Sequence, residues 1–147
     1  MKNEFMEIAI KEAQKAKSAG EVPVGAVVVL DGKVIGKAHN LTESLSDPCA
    51  HAEILAIKEA CANLSNWRLC DASIYVTLEP CPMCAGAIIN SRIKNVYFGA
   101  YDARMGACGG KIDLFRENLS GHSINVYGGF YEDECKKLLA DFFKNNR

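Results

Sequence analysis

Apolar and polar positions along the chain alternate between helical and extended patterns. Phe5, Ile8, Ala9, Ala13 and Ala16 recur at helical spacing and Gly20 follows as a terminator, so residues 4–19 predict a helix. Two short runs, 24–30 and 33–38, flank Asp31-Gly32, the signature of a tight hairpin. Residues 40–47 are polar and predict a loop. Asp47-Pro48 is expected to open a second helix, carried on by Ala52, Leu55, Ala56, Glu59, Ala60 and Leu64. Residues 74–78 predict a strand, 82–90 a short apolar helix and 93–99 another strand. The stretch 100–122 is Gly-rich and irregular, with one helical turn expected near 112–115. A short strand at 124–127 and an amphipathic helix at 131–145 close the pattern. The order αββαβαβ(α)βα predicts an α/β sandwich: one domain over 1–147, with a mixed sheet of about five strands flanked by about five helices.

Composition narrows the function. The 147 residues (16.0 kDa) are enough to bury a core, and 49% hydrophobic with 24% charged residues is ordinary for a globular chain. A net charge of −1 excludes a strongly basic nucleic-acid coat but not a local basic patch. The longest apolar stretches, 22–30 and 81–89, fall well short of the roughly 20 residues a membrane span needs. Glu4, Glu7 and Glu12 interrupt the N-terminal segment, which does not read as a signal peptide, so a cytoplasmic location is expected. Seven cysteines, an odd number, argue against a complete disulfide framework and for thiols or metal ligands.

His51, Cys81 and Cys84 carry the chemistry. Pro82 at the start of the third helix places Cys81 near its N-cap and Cys84 one turn in, with both sulfurs on one face. A helix N-terminus lowers thiol pKa, so two thiolates there form a metal half-site. One imidazole and two thiolates suit zinc and leave its fourth position for water, the arrangement of a catalytic rather than a structural ion. A fourth protein ligand would have to come from His39 or His122, far along the chain, or from Cys49 through an awkward local geometry. Glu53, two residues from His51, supplies the adjacent base that zinc-activated water needs. His-x-Glu followed by Pro-Cys-x-x-Cys is the signature of zinc-dependent nucleobase deaminases.

The chain resembles the bacterial tRNA-specific adenosine deaminases, within the cytidine-deaminase-like superfamily. The matching segments are EVPVGAVVV (21–29), DPCAHAEI (47–54), YVTLEPCPMCAGAI (75–88), Ser91-Arg92-Ile93, FGAYD (98–102), Gly106-Ala107 and LLADFF (138–143). The zinc motif identifies the superfamily; the FGA-x-D loop, Asn40 and the LL-x-DFF ending point to the tRNA branch. Cys49 and Gly110 depart from the usual Thr and Ser. The resemblance implies a three-layer cytidine-deaminase-like sandwich and one zinc per chain at His51, Cys81 and Cys84, with Glu53 as proton shuttle. It further implies conversion of adenosine to inosine at the anticodon wobble position, chiefly of an arginine tRNA, by a homodimer. By position, Asn40 would contact the target nucleotide, the N–H of Ala52 would hold the base, and Ala100 to Asp102 would line the RNA channel.

The last helix suggests where RNA docks. Cys135, Leu138, Leu139 and Phe142 form a core stripe, while Phe143, Lys136, Arg147, Lys144 and Lys137 occupy a neighbouring sector of roughly 120°. Phe143 would stack on a base, and Lys136, Lys144 and Arg147 would meet phosphates. Cys61, Cys70, Cys108 and Cys135 are expected to be core or incidental thiols, and Cys49 to pack under the zinc. Trp67-Arg68 is expected to pack between helix and strand. Two rival functions share the motifs. The Phe98-to-Asp102 loop and the LL-x-DFF ending disfavour a deaminase of free guanine, cytosine or deoxycytidylate. Intact Glu53 and Asn40 disfavour a non-catalytic, zinc-containing partner subunit.

Overall fold

The computed structural model describes residues 2–145. Its elements are α1 (Glu4–Ser18), β1 (Gly25–Leu30), β2 (Lys33–His39), α2 (Ala52–Leu64), β3 (Ser73–Leu78), α3 (Pro82–Asn90), β4 (Asn95–Ala100), β5 (Asn125–Tyr127) and α4 (Glu132–Asn145). The hairpin forms as predicted, because Asp31 and Gly32 both take the positive φ (52° and 75°) of its two-residue turn.

The five strands form one sheet in the order β2-β1-β3-β4-β5. β1 pairs antiparallel with β2 and β3, whereas β3–β4 and β4–β5 are parallel. The parallel pair β3–β4 needs a crossover, and α3 supplies it. β1 is buried on both faces and splits its side chains between two cores. Ala26 and Val28 pack with Ala52, Ala56, Ala60, Ile88 and Phe98, beneath α2 and α3. Val27 and Val29 pack with Met6, Ala9, Ile10 and Cys135, beneath α1 and α4. The result is the expected three-layer sandwich.

Close backbone approach holds the layers together. A Cβ at Gly36 in β2 would meet the Ala56 carbonyl at 2.3 Å and the Ala60 nitrogen at 2.8 Å. Only glycine lets α2 lie this near the sheet. On the other face, the Tyr131 hydroxyl donates to Glu7 (2.6 Å) and accepts from the Asn3 N–H (2.9 Å), tying α4 to α1.

Two expected features differ. Among the described residues there are four α-helices, not about five: 112–115 are irregular, with an isolated bridge between Cys108 and Asp113, and the turns that follow begin only at Phe115. Nor does Asp47-Pro48 open α2. The Asp47 carboxylate accepts the Cys49 N–H (2.8 Å) in a local turn, and the helix begins at Ala52. Asp-Pro is equally a turn signal, and the side chain closed the shorter loop.

Candidate active site

The delayed start of α2 makes His51 its N-cap, with φ −76° and ψ 152°. Cys81 is the N-cap of α3 in nearly the same conformation, φ −75° and ψ 172°, with Pro82 in the first turn. Neither side chain caps its own helix; instead the two meet each other. Cys84, one turn into α3, is buried beside them. His51 Nδ1 lies 3.6 Å from Cys81 Sγ and 3.5 Å from Cys84 Sγ. Tetrahedral zinc with Zn–S about 2.3 Å and Zn–N about 2.0 Å separates its N and S ligands by about 3.5 Å. The donor types and spacing therefore fit zinc. Among the described residues no fourth ligand joins them. His39 Nδ1 pairs with Glu12 (3.0 Å), His122 with Ser120, and Cys49 is exposed.

The three donors shift one another's proton affinities. Hydrogen bonds from the Cys84 thiol and from His51 pull the Cys81 thiol down to about 4, against the opposing cost of burial. The proton stays on Cys84, whose pKa is raised by that same bond to Cys81 and by burial. His51 is raised by its bond to Cys81. Glu53, in the first turn of α2, is pushed by burial up to about 7. A carboxyl poised near neutrality can both take and give a proton.

His51, Glu53 and Cys81 line the floor of a cavity of about 220 Å³. Asn40, Thr42 and Asp102 supply its polar rim, and Val22, Val24, Leu78 and Met105 its apolar walls. This volume lies below the roughly 300 Å³ at which pockets for drug-sized ligands begin, and suits one flat base.

The expected rim residues are placed unevenly. Asn40 lines the cavity, and its Oδ1 accepts the Ala52 N–H (2.9 Å). That bond occupies the N–H expected to hold the base and leaves Asn40 its amide N–H groups to offer a ligand. Ala100 ends β4 with its side chain in the core beneath α1 and α4, and does not line the cavity. Asp102 does line it, and also accepts the N–H groups of Arg104 (2.9 Å) and Met105 (3.2 Å) in its own turn.

On α4, Cys135 and Phe142 are buried as the stripe predicts. Phe143 is half exposed and, with Tyr101 and Arg104, lines a second cleft that shares Val22, Leu78 and Asp102 with the first cavity. Lys136 pairs with Glu132 (2.8 Å), Lys144 is exposed, and Arg147 lies outside the described residues. Two expectations are corrected. Cys49 is exposed rather than packed under the metal site, because the Asp47 turn places it outside α2. Trp67 is 52% exposed rather than packed between helix and strand, with the Arg68 guanidinium 4.4 Å from its ring centroid.

Sequence reasoning missed two buried carboxylates. Glu79 accepts the N–H groups of Asp102 (2.9 Å), Cys108 (2.9 Å) and Gly110 (2.8 Å). Glu21 accepts from the Glu43 N–H (3.1 Å), the Ser44 N–H (2.7 Å) and the Ser44 hydroxyl (2.6 Å). Their only signal was a charge at the border of an apolar run, before Val22 and after Leu78.

The cytidine and deoxycytidylate deaminase zinc-binding region matches residues 1–100. The tRNA-specific adenosine deaminase of Bacillus subtilis (strain 168) is 50% identical over 143 residues, 97% of this chain and 89% of the relative. That of Haemophilus influenzae (strain ATCC 51907 / DSM 11121 / KW20 / Rd) is 45% identical, over 97% and 83%. A solved structure from studies of A-to-I editing by tRNA:A34 deaminases at the wobble position of transfer RNA superposes with a TM-score of 0.90. It is 46% identical and covers 94% of this chain and 100% of that one. The open donor set and the carboxylate beside it thus occur in a chain that belongs to the cytidine and deoxycytidylate deaminase zinc-binding family, among its tRNA-specific adenosine deaminases.

Proposed function

We propose that this protein deaminates adenosine to inosine at the wobble position of tRNA anticodons, chiefly that of an arginine tRNA. The observation that carries the reading is Glu53, buried at the floor of a base-sized cavity beside an open His-Cys-Cys donor set. His51, Cys81 and Cys84 would hold the zinc, which would supply there the Lewis acidity that makes water nucleophilic near neutral pH. Glu53 takes the proton of the attacking water and hands one to N1 of the adenine ring as C6 is attacked. It then takes the proton of the new C6 hydroxyl and delivers it to the amino group, so that the C6–N bond breaks, the C6 carbonyl forms and ammonia leaves. One water is consumed and one ammonia released per inosine formed.

The adenosine reaches this floor only when splayed out of its stack, which costs least in an unpaired loop. Asn40 and Asp102 hold the nucleoside at the rim, and the flanking loop docks along α4. There Phe143 stacks on a base and Lys136 and Lys144 meet phosphates; Arg147, outside the described residues, is a further phosphate contact. The protein acts in the cytoplasm as a homodimer. The half-exposed Trp67 and the apolar side chains of Ile54, Cys61 and Ala87 around one surface cleft support that assembly. Incubation with an anticodon stem-loop, adenosine, guanine and cytosine tests the activity. Ammonia release from the stem-loop alone is expected, and release from guanine or cytosine alone would overturn it.

A further inference from the structure

Glu79 lies between Leu78, an apolar wall of the cavity, and Pro80-Cys81, where the donor set begins. Its side chain is 2% exposed, yet the mechanism does not use it. Both carboxylate oxygens are turned toward one loop. Oε1 accepts the Asp102 N–H, and Oε2 accepts those of Cys108 and Gly110. The main chain repeats the connection. The Glu79 N–H donates to the Ala100 carbonyl (2.8 Å), and the Ala107 N–H donates to that of Pro80 (2.8 Å). Asp102 passes the constraint on, because its own carboxylate holds the N–H groups of Arg104 and Met105. Asp102 and Met105 are the cavity's wall on this side. The loop approaches closely enough that a Cβ at Gly106 would meet the Glu79 carboxyl carbon at 2.3 Å and the Asp102 carbonyl at 2.4 Å.

We propose that Glu79 is a positioning residue of the deamination site: it fixes the 102–110 loop, and through Asp102 and Met105 the wall against which the target nucleoside rests. A carboxylate suits the task because it accepts several N–H groups at once and donates none. The inference rests on the deamination activity proposed above.

The test is Glu79→Gln in the zinc-loaded protein, with an anticodon stem-loop as substrate. The single amide oxygen can keep the pair from Cys108 and Gly110, while its NH₂ then faces the Asp102 N–H. Zinc should stay at one per chain. The specificity constant kcat/KM should fall by about tenfold, the worth of one bond to a charged acceptor, with the loss carried by KM. Added to Asp102→Ala, the same change should cost less than about twofold, because both act through one wall. A Glu79→Gln protein within about twofold of the parent, an additive double variant, or a loss that follows zinc content would each overturn the proposal. Should Glu79→Gln not fold, Gly106→Ala reaches the same clamp from the loop side and should raise KM alike; an unchanged KM would overturn it. A parent that releases no ammonia from the stem-loop sinks the deamination reading instead. Amide hydrogen exchange then decides the clamp. Protected N–H groups at Asp102, Cys108 and Gly110 that exchange faster in Glu79→Gln support it, and equal exchange overturns it.

Discussion

His51 and Cys81 are the N-caps of two helices and Cys84 lies one turn in, whereas Thr42, Asp102 and Met105 stand on loops outside any helix or strand. The floor of the cavity takes its geometry from regular elements. Pro82 starts α3, a spacing of three puts both sulfurs on one face, and β3 delivers the helix start to the site. The rim takes its geometry from single buried carboxylates that collect loop N–H groups over long sequence distances, 23 residues from Glu79 to Asp102 and 23 from Glu21 to Ser44. Chemistry is thus placed where the chain is stiff by local rule. The rim is placed where irregular loops depend on a few distant bonds rather than on helix geometry.

Breaking the floor should have the largest effect. His51→Ala and Cys84→Ala should lose zinc and all deamination, as read by metal analysis and ammonia release. Glu53→Ala should keep fold and zinc but lose activity by orders of magnitude, since among the residues lining the cavity floor no other group is placed to carry the protons. Appreciable turnover by Glu53→Ala would show that the floor does not act as described. Removal of zinc by a chelator should abolish turnover, and added zinc should restore it.

The same contrast explains what was legible in the sequence. His51, Cys81, Cys84 and Glu53 were readable because short spacings at helix starts have few geometric solutions. The hairpin at Asp31-Gly32 and the buried stripe of α4 were readable for the same reason. Local signals misled where two turn chemistries compete: Asp47-Pro48 suits a helix N-terminus and a loop equally, and the bond from Cys49 selected the loop. The role of Glu79 was not readable, because nothing local distinguishes a carboxylate that collects three distant N–H groups from one facing solvent. Trp67 failed on the same ground: whether an aromatic residue packs or lies exposed with an arginine over it depends on neighbours brought by the fold.

At the edge of the rim the expected effects are moderate. Phe143→Ala should weaken stem-loop binding by about 1–3 kcal/mol if a base stacks on it, with zinc content unchanged. Joint replacement of Lys144 and Arg147 by Ala should weaken tRNA binding and flatten its dependence on salt, since fewer counterions are released. Binding measured across a salt series separates the two. The aromatic change should shift the line without altering its slope, and the charge change should alter the slope. Parent-like binding by the charge variant at moderate salt would mean that RNA docks away from this face.

The smallest effect belongs to the second carboxylate of the rim. Desolvation pushes the Glu21 carboxyl up, but the bonds from Ser44, Glu43 and Thr42 outweigh it and hold the pKa below the ordinary 4.5. A group whose folded pKa is depressed contributes stability that is fully present above the unfolded value. That contribution is lost as pH falls through the folded one. Glu21→Gln cannot titrate and leaves an amide NH₂ facing the N–H and hydroxyl groups of Glu43 and Ser44. The difference in denaturant midpoint between parent and Glu21→Gln should therefore be widest above pH 4.5 and should narrow steadily as pH falls below it. Glu12, the other carboxyl held low, titrates alike in both proteins, so the difference isolates Glu21. The effect on turnover should be smaller than that of Glu79→Gln, because the Glu21 bonds reach the cavity only at Thr42, through a 3.4 Å hydroxyl contact. A gap that does not change with pH would mean that Glu21 holds its loop by packing rather than as a carboxylate, and would separate the two sides of the rim in kind as well as in degree.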